Sequence, residues 1–572
     1  MSITCNVDEW RIWEQNACPI FLVMTLNAGM REFRDYFGAG LWTSVIVFED
    51  NQGRWLFRPK ELKLLGQKMI DFLLCPPYRV AFFTGYQIAE QAVVKKAQEI
   101  QFSMDLKAFS SEDLVKLFED FCCIYYNFYK YGWFCEPVQF QGQDLVTGWL
   151  KKEAKNRRFE FDITEMQQAA FTIEEDTFAV KILRHLSECA TALGRALRND
   201  CLTSAVKKVV DDNDFANEAA QITLQIIESN SDNEDFRLLK EKMGEHSAKF
   251  YWKRNNYFST QFVTEIDVLA EIFCSEKFDI SNPSLQFEDE IENIQKNKKE
   301  ALLKKSTILE ELPPYYRNLI ALIGSVGGSL IDRRKRAIMI ANGAFDKILK
   351  IIAARSNTEI SDCRLLIPQE LRHFVLSPEE YRHRFKERKK RFVAFQGDFP
   401  LVEELFGDVA NMAVKSELDY SAFSMTEPFI AEGEQVDKVL EQLNSRLNFL
   451  AQTTVSSLDR LKGVATYYDP SWSEVIGTVA VIRNPKVEIL KKDEILVAPS
   501  TTPDYMDAIR KCKAIVTDWG GQTSHAAIIS RELRKPCIIG TNYASQILKN
   551  GDKIRIDLKQ GIIEIINDKK DR

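Results

Sequence analysis

The chain contains, near its end, the stretch Ile515-Val516-Thr517-Asp518-Trp519-Gly520-Gly521-Gln522-Thr523-Ser524-His525-Ala526-Ala527-Ile528-Ile529-Ser530-Arg531-Glu532-Leu533. The apolar residues up to Val516 predict a strand, which the paired glycines Gly520 and Gly521 end in a turn. Ser524 is a residue type that caps helix N-termini, and apolar residues recur after it at helical spacing. The stretch therefore predicts a strand, a turn and a helix, with His525 on the first helical turn.

The predicted position of His525 suits a histidine that carries a phosphoryl group. Backbone N–H groups at a helix N-terminus have no partner within the helix, and the helix dipole there favours an anion. The same dipole disfavours the imidazolium cation, so the ring stays neutral and nucleophilic around neutral pH. A transient phosphohistidine requires such a ring beside a phosphate-binding turn. The alternative is that His525 only satisfies a structural hydrogen bond, and its position alone does not separate the two.

The residues around His525 resemble the swivelling phosphohistidine domain of the PEP-utilising enzymes, such as phosphoenolpyruvate synthase and pyruvate phosphate dikinase. The resemblance extends from roughly residue 462 to residue 566. It is carried, in this order, by residues 493–498, 501–504, 520–527, 531–533, 536–541 and 551–557. So many matches in the same order are unlike a chance similarity.

The resemblance implies a compact α/β domain in which His525 carries the phosphoryl group on Nε2. Gly520 and Gly521 are expected to let the backbone approach the phosphoryl oxygens, because glycine has no Cβ. Thr523 and Ser524 are expected to hydrogen-bond those oxygens or to cap the helix. The expected role of Arg531 is to orient the histidine loop or its partner.

Composition is that of an ordinary soluble protein of several domains. The 572 residues are 45% hydrophobic and 28% charged, which allows two to four domains with cores of their own. A net charge of −7 argues against a nucleic-acid partner. The 12 cysteines form neither a zinc pattern nor a disulfide framework, and we see no secretion signal, so we expect a cytoplasmic protein. The longest apolar run, 319–331, is too short to span a membrane and is predicted to be a buried helix in which Gly324 and Gly328 allow close packing.

Hydrophobic periodicity divides the chain into three predicted regions. Residues 1–150 mix strands and helices, and β-prone runs at 44–48 and 55–58 flank turn residues at 49–54, which predicts a hairpin. Residues 151–455 are predicted to be a helical acceptor-binding domain, and a helical arm is predicted over 431–462. Residues 456–572 alternate β-rich runs (475–482, 494–498, 513–516, 536–539, 553–556 and 562–566) with short helices. The predicted fold class is multidomain α+β, with a large, mainly helical N-terminal and central region before a compact C-terminal α/β swivelling domain.

A helix opening at residue 110 runs into a dense aromatic segment. Its members are Tyr125, Tyr126, Phe128, Tyr129, Tyr131, Trp133 and Phe134. These side chains could line a pocket for an aromatic or hydrophobic acceptor. The more ordinary alternative, a helix packed on several sides in a core, is favoured by base rates.

Two basic segments in the helical region are similar to the acceptor-binding region of rifampin phosphotransferase and related dikinase-like enzymes. The basic segments are residues 332–336 and 381–392, and a short Pro-Gln-Glu-Leu segment lies between them. Guanidinium groups bind phosphate in a bidentate manner, so Arg333, Arg336 and Arg391 are predicted acceptor-side phosphate contacts. Arg334, Arg382 and Arg388 belong to the same set. For each arginine the alternative is a solvated basic face.

The sequence lacks features that a complete dikinase needs. Residues 1–460 contain no ATP-grasp-like signature and no Walker motif, and the chain ends just after the swivelling domain, without a pyruvate-binding barrel. This arrangement is similar to the split enzyme phenylphosphate synthase, in which another subunit supplies the ATP-grasp function. We therefore expect a separate ATP-grasp partner that brings ATP and Mg²⁺. No metal-ligand cluster is visible in the chain itself.

The predicted function is that of a phosphotransferase subunit that passes a phosphoryl group from a nucleotide, through His525, to a hydroxyl-bearing small molecule. Two alternatives remain open. One is a non-catalytic scaffold or regulatory protein that uses the swivelling domain for docking. The other is a self-contained kinase with an unrecognised ATP site. The remaining histidines, His185, His246, His373 and His383, are interpreted as structural.

Overall fold

A computed structural model of the protein describes residues 11–22, 37, 43–49, 51–155, 163–209, 215–274, 278–397, 429–433, 435–447, 460–467 and 473–566. The chain forms two compact units. The first comprises Met1–Ile173, Asn256–Ser259 and Lys305–Arg572, and the second comprises Glu174–Asn255 and Thr260–Lys304. The boundaries 1–150, 151–455 and 456–572 stay a prediction.

A five-stranded antiparallel sheet lies in the first unit. Its strands, in the order β1-β3-β2-β4-β5, are β1 (Arg11–Asn16), β2 (Thr43–Glu49), β3 (Gln52–Phe57), β4 (Phe392–Gly397) and β5 (Phe429–Glu432). The predicted hairpin is present, because β2 pairs with β3 with Phe48 opposite Gly53. Strands β4 and β5 lie in the region predicted to be helical, and that part of the prediction was wrong. Phe392 and Val393, both fully buried, pair with β2 and extend the sheet instead.

Helices of the N-terminal part of the first unit form an aromatic core. They are α1 (Pro59–Leu74), α2 (Pro76–Gln98), α3 (Ser111–Gly132), α4 (Cys135–Lys155) and α5 (Ile163–Ala170). On α3, the rings of Phe118, Phe121 and Tyr125 lie 4.9, 4.4 and 5.9 Å from that of Phe345. Most members of the predicted aromatic segment are buried as well, which agrees with the more ordinary alternative of a packed core: Tyr125, Phe128, Tyr129, Trp133 and Phe134.

The second unit is helical among its described residues. Its helices are α6 (Phe178–Ala196), α7 (Asp200–Lys207), α8 (Phe215–Ser229), α9 (Glu234–Phe250), α10 (Glu265–Phe273) and the greater part of α11 (Leu285–Glu311). Side-chain caps start several of them, and Asn233 accepts from the Phe236 N–H at 3.1 Å. Phe178 on α6 meets Trp252 edge-to-face, with ring centroids 5.6 Å apart.

The rest of the helical region returns to the first unit. It consists of α12 (Pro314–Gly324), α13 (Ile331–Arg355), α14 (Ile360–Cys363), α15 (Leu371–Leu376), α16 (Pro378–Lys390) and α17 (Gln435–Leu447). The predicted buried helix at 319–331 is interrupted by a π-helical segment, Ser325–Leu330, a geometry often found at functional sites. The predicted arm over 431–462 is helical only at α17 among its described residues, and residues 448–459 of it lie outside them. In the described part of the chain no helix is long and apolar enough to cross a bilayer.

The C-terminal part of the first unit is built on an eight-stranded sheet. Its strands are β6 (Arg460–Lys462), β7 (Val464–Tyr467), β8 (Glu474–Val481), β9 (Ile495–Ala498), β10 (Ala514–Thr517), β11 (Cys537–Ile539), β12 (Lys553–Asp557) and β13 (Ile562–Ile565). The order is β6-β13-β12-β8-β9-β10-β11-β7, with parallel pairing from β8 to β11 and antiparallel pairing on both sides. Short helices α18 (Met506–Lys511), α19 (His525–Glu532) and α20 (Ala544–Ile547) complete it. The predicted β-rich runs and the multidomain α+β class are confirmed.

Candidate functional site

His525 is placed by the strand, turn and helix that the sequence predicts. Strand β10 ends at Thr517, and Gly520 turns the chain with a φ of +130°, which side-chain-bearing residues rarely adopt. Ser524 then caps α19 by accepting the Ala527 N–H at 3.4 Å. In sheets of this kind, ligands bind beyond the carboxyl ends of the parallel strands, and His525 lies there.

The imidazole of His525 is buried and oriented by Thr501, which follows β9. The ring is 6% exposed, and its Nδ1 lies 3.0 Å from Thr501 Oγ1. Burial, together with the nearby Lys335 ammonium, holds the pKa of His525 well below its usual 6.5. The ring is therefore neutral over the whole physiological pH range.

The turn before His525 is held by Gln143 of α4. Gln143 Oε1 accepts from the Gln522 N–H at 2.9 Å, and its Nε2 donates to Thr523 Oγ1 at 2.6 Å. A Cβ added to Gly521 would lie 2.3 Å from Gln143 Oε1, so glycine at this position leaves room for the amide. The predicted phosphate ligands Gly521 and Thr523 thus also contact α4.

Arg531, near the C-terminal end of α19, hydrogen-bonds to the turn that precedes His525. Its Nη2 donates to the Gln522 carbonyl at 2.6 Å and to the Phe171 carbonyl at 3.4 Å. Burial lowers the pKa of this guanidinium from 12.5 to about 10. Arg531 thus contacts the turn before His525, and its role in orienting the histidine loop stays a prediction.

Further hydrogen bonds join the C-terminal sheet region to the rest of the first unit. Asn256 Nδ2 donates to Asp504 Oδ2 at 2.9 Å, and Lys486 Nζ donates to Ser259 Oγ at 3.0 Å. Ser500 Oγ donates to the Glu14 carbonyl at 3.2 Å. Residues from distant parts of the chain therefore contact the C-terminal sheet region.

A cavity of about 350 Å³ opens beside His525. From the C-terminal sheet region it is lined by residues that follow β9, β10 and β11, including Thr501, Asp518 and Asn542. Its aromatic lining comes from other parts of the first unit as well, and consists of Trp13, Trp55, Phe57, Tyr129, Trp133, Phe140, Tyr257 and Trp519. Of the predicted aromatic segment, Tyr129 and Trp133 line the cavity.

Charged residues at the cavity come mainly from α4 and α13. Arg334 forms a two-pronged ion pair with Glu136 and also donates to the Gly132 carbonyl at 2.9 Å. Burial, and then the neighbouring Arg334, lowers the pKa of Lys335 from 10.5 to about 8. Burial likewise raises the pKa of Asp518 from 3.8 to about 6.

The predicted acceptor-side arginines, Arg333, Arg336 and Arg391, do not line this cavity. Arg333 and Arg336 both pair with Glu90, and Arg391 pairs with Asp437 at 2.8 Å. Their contact with phosphate stays a prediction, whereas the structure places their neighbours Arg334 and Lys335 at the cavity. The sequence indicated the basic segment but not which of its residues face inward, and it gave no signal for Gln143.

Arg388 and Arg382, the remaining candidate arginines, both form ion pairs within the protein. Arg388 is buried in ion pairs with Glu370 and Glu432, and Arg382 pairs with Glu379 at 2.8 Å. Over the described ranges no group of three or more His, Cys, Asp or Glu side chains could hold a metal ion.

Comparison with known proteins identifies the region around His525. Residues 490–561 match the family described as PEP-utilising enzyme, mobile domain. The chain is 43% identical over 90 residues to the probable phosphoenolpyruvate synthase of Staphylothermus marinus and 48% identical over 89 residues to that of Archaeoglobus fulgidus. It is 44% identical over 88 residues to the phosphoenolpyruvate synthase of Pyrococcus furiosus. The chain therefore carries a PEP-utilising enzyme mobile domain, and the expected resemblance is confirmed.

The similarity is confined to that domain. Each match covers 15% of this chain and between 11% and 12% of the relative's length. Among solved structures, the crystal structure of Thermococcus kodakaraensis aconitase X in its holo-form matches at 22% identity, over 19% of this chain and 98% of that one. Its TM-score of 0.16 is too low for that likeness to carry an argument.

Proposed function

We propose that this protein is a phosphotransferase that carries a phosphoryl group on His525 and delivers it to a hydroxyl-bearing small molecule in the adjoining cavity. One observation carries the proposal: His525 of the mobile domain lines a cavity of about 350 Å³ together with residues of the N-terminal and helical regions. A carrier histidine must meet its acceptor within bonding distance, and a cavity shared in this way provides the meeting place.

The contact with Thr501 supports Nε2 as the atom that carries the phosphoryl group. If Nδ1–H donates to Thr501 Oγ1, the lone pair of the neutral ring lies on Nε2. During transfer the Nε2–P bond breaks and its electron pair returns to Nε2, while a P–O bond forms to the acceptor hydroxyl. Nδ1 keeps its proton, so a neutral imidazole leaves. The hydroxyl proton goes to the new phosphate ester and from there to water.

Lys335 and the burial of the site support phosphoryl transfer over hydrolysis. A phosphoryl dianion on His525 would raise the pKa of the nearby Lys335 amine, so its ammonium form would neutralise charge on the moving group. Arg334 is fixed by Glu136 and adds a second cation to the cavity wall. Because His525 is only 6% exposed, little water can compete with the acceptor.

The proposed donor is a nucleotide held by a separate ATP-grasp subunit, with Mg²⁺ bound alongside the nucleotide. The proposal rests on the missing nucleotide motif in residues 1–460 and on the resemblance to two-subunit enzymes. The matched relatives carry the name phosphoenolpyruvate synthase, which makes phosphoenolpyruvate the second donor to test.

Labelling of the purified chain tests the proposal. ATP labelled at the β- or γ-phosphate is added alone and with native extract, beside His525→Ala and the control His383→Ala. We expect acid-labile, base-stable label on wild type and His383→Ala only with extract, and none on His525→Ala. Label without extract would instead establish an ATP site on this chain. Absence of histidine label with ATP and with phosphoenolpyruvate would favour the scaffold alternative.

A further inference from the structure

Eight Phe, Tyr and Trp side chains line the wall of the His525 cavity. Four of the chain's nine tryptophans, Trp13, Trp55, Trp133 and Trp519, lie on it. They come from β1, β3, the turn between α3 and α4, and the turn after β10, so no single amphipathic element accounts for the group. Several of the contacts are edge-to-face, with ring centroids 5.4 Å apart for Trp55 and Trp133 and 6.3 Å apart for Trp13 and Trp55.

Rings packed edge-to-face hold each other rigid while leaving faces and edges for a further ring. A bound aromatic ligand would gain the same offset or edge-to-face contacts at small entropic cost. Trp133 is 2% exposed, and its indole N–H has no acceptor among the described residues, so an oxygen of a ligand could supply one. A small aliphatic or oxoacid acceptor would leave most of this apolar wall unfilled.

Polar groups of the cavity lining would orient a bound ligand. Lys335, the Arg334–Glu136 pair and His525 are the groups that suit a hydroxyl and the phosphoryl group it receives. A volume of about 350 Å³ is at the lower end of small-molecule sites, which run from about 300 to 1,000 Å³. It fits a compact ligand of one or two fused rings with substituents.

We propose that the acceptor is a compact aromatic hydroxyl compound, whose rings contact the tryptophan wall while its hydroxyl faces His525. This inference rests on the proposed function, because it names the substrate class of the same site. It distinguishes this site from one built for pyruvate, although the mobile domain resembles that of enzymes named phosphoenolpyruvate synthase.

Binding to the full, unphosphorylated chain is the first test. Calorimetric titration compares 2-naphthol with decahydro-2-naphthol, its saturated counterpart of the same skeleton, and with pyruvate. We expect 2-naphthol to bind about tenfold or more tightly than either, and Trp13→Leu to weaken it about threefold to tenfold. Trp149→Leu is the matched control, because Trp149 packs on Tyr316 away from the cavity, and it should bind as wild type does. Equal affinity for 2-naphthol and its saturated counterpart, or equal loss in both variants, would overturn the proposal.

A chase of the labelled protein separates this inference from the proposed function. Protein labelled on His525 is mixed with 2-naphthol, decahydro-2-naphthol, glycerol or pyruvate, and loss of label is followed. Fast loss with formation of naphthyl phosphate supports both proposals. Label that transfers only to glycerol or pyruvate overturns the aromatic acceptor and leaves the carrier role intact. If His525 is never labelled while 2-naphthol still binds, the carrier role fails and the aromatic site stands.

Discussion

Gln143 and Thr523 are 380 positions apart in the chain, yet Gln143 Nε2 donates to Thr523 Oγ1 over 2.6 Å. The same side chain accepts from the Gln522 N–H, so one amide holds two successive residues of the histidine turn. Both partners are buried, with Gln143 9% and Thr523 0% exposed. The pair therefore fixes the turn that precedes His525 against α4.

We expect Gln143→Ala to slow transfer to the acceptor about tenfold to a hundredfold, because two buried hydrogen bonds of about 0.5–1.5 kcal/mol each are lost. Loading of His525 from the donor should be unchanged, since Gln143 lies outside the mobile domain. Single-turnover measurements of each half-reaction check this. Gln141→Ala is the control, because Gln141 on the same helix contacts Gln67 instead. Equal slowing of both half-reactions would contradict a role in docking alone.

Gly521→Ala should act through the same amide. The added Cβ would stand 2.3 Å from Gln143 Oε1, so the amide must move and its hydrogen bonds weaken. The effects of Gly521→Ala and Gln143→Ala on transfer are therefore expected to be strongly non-additive, with the double variant little worse than either single one. If the double variant slows transfer by the product of the two single fold-changes, the two positions act independently.

Thr501→Val should allow the imidazole of His525 to adopt both neutral tautomers. The change keeps the shape of the side chain but removes the hydroxyl 3.0 Å from Nδ1. We expect ¹⁵N NMR to show the Nδ1–H form in wild type and a mixture in the variant, with labelling of His525 slowed about tenfold or more. Thr501→Ser should restore both. If the tautomer is unchanged in Thr501→Val, the Thr501 hydroxyl does not select the Nδ1–H form.

Lys335→Met and Arg336→Met form a matched pair on α13. Loss of one cation at the transferring phosphoryl group is expected to slow transfer about 10²- to 10³-fold, so Lys335→Met should do so. Arg336 is 40% exposed and lies 4.0 Å from Glu90, so its variant should transfer at nearly the wild-type rate. If Arg336→Met slows transfer more than Lys335→Met does, Arg336 is the phosphate contact, as the sequence predicts.

His246 should make the protein lose stability in mild acid. Burial, and then Lys253, lowers its pKa from 6.5 to about 3 in the folded state. As the pH falls below 6.5, the unfolded chain takes up a proton that the folded chain does not, so stability falls. At about pH 5 the loss is roughly 2 kcal/mol for this one group.

Thermal unfolding of His246→Phe measures that contribution. Between neutral pH and about pH 5, the melting temperature of the variant should fall by a few degrees less than that of wild type. His383→Gln is the control, since His383 is exposed, and it should follow wild type. Parallel pH curves for wild type and His246→Phe would mean that another group governs acid stability.

The sequence by itself determined the local part of the candidate site. The strand, glycine turn and capped helix around His525 follow from periodicity and capping, which act between residues a few positions apart. The same holds for the β2–β3 hairpin and the strands of the C-terminal sheet. The family of the mobile domain could also be inferred, because its motifs are contiguous.

Only the tertiary structure decided what surrounds the histidine. It brought Gln143 to Thr523, placed Lys335 rather than Arg333 or Arg336 at the cavity, and gathered tryptophans from four separate elements into one wall. It also added β4 and β5 to a sheet that begins near residue 11. These features depend on packing between segments hundreds of residues apart. Local propensity carries no information about such contacts, because burial and pairing are fixed only when the whole core forms.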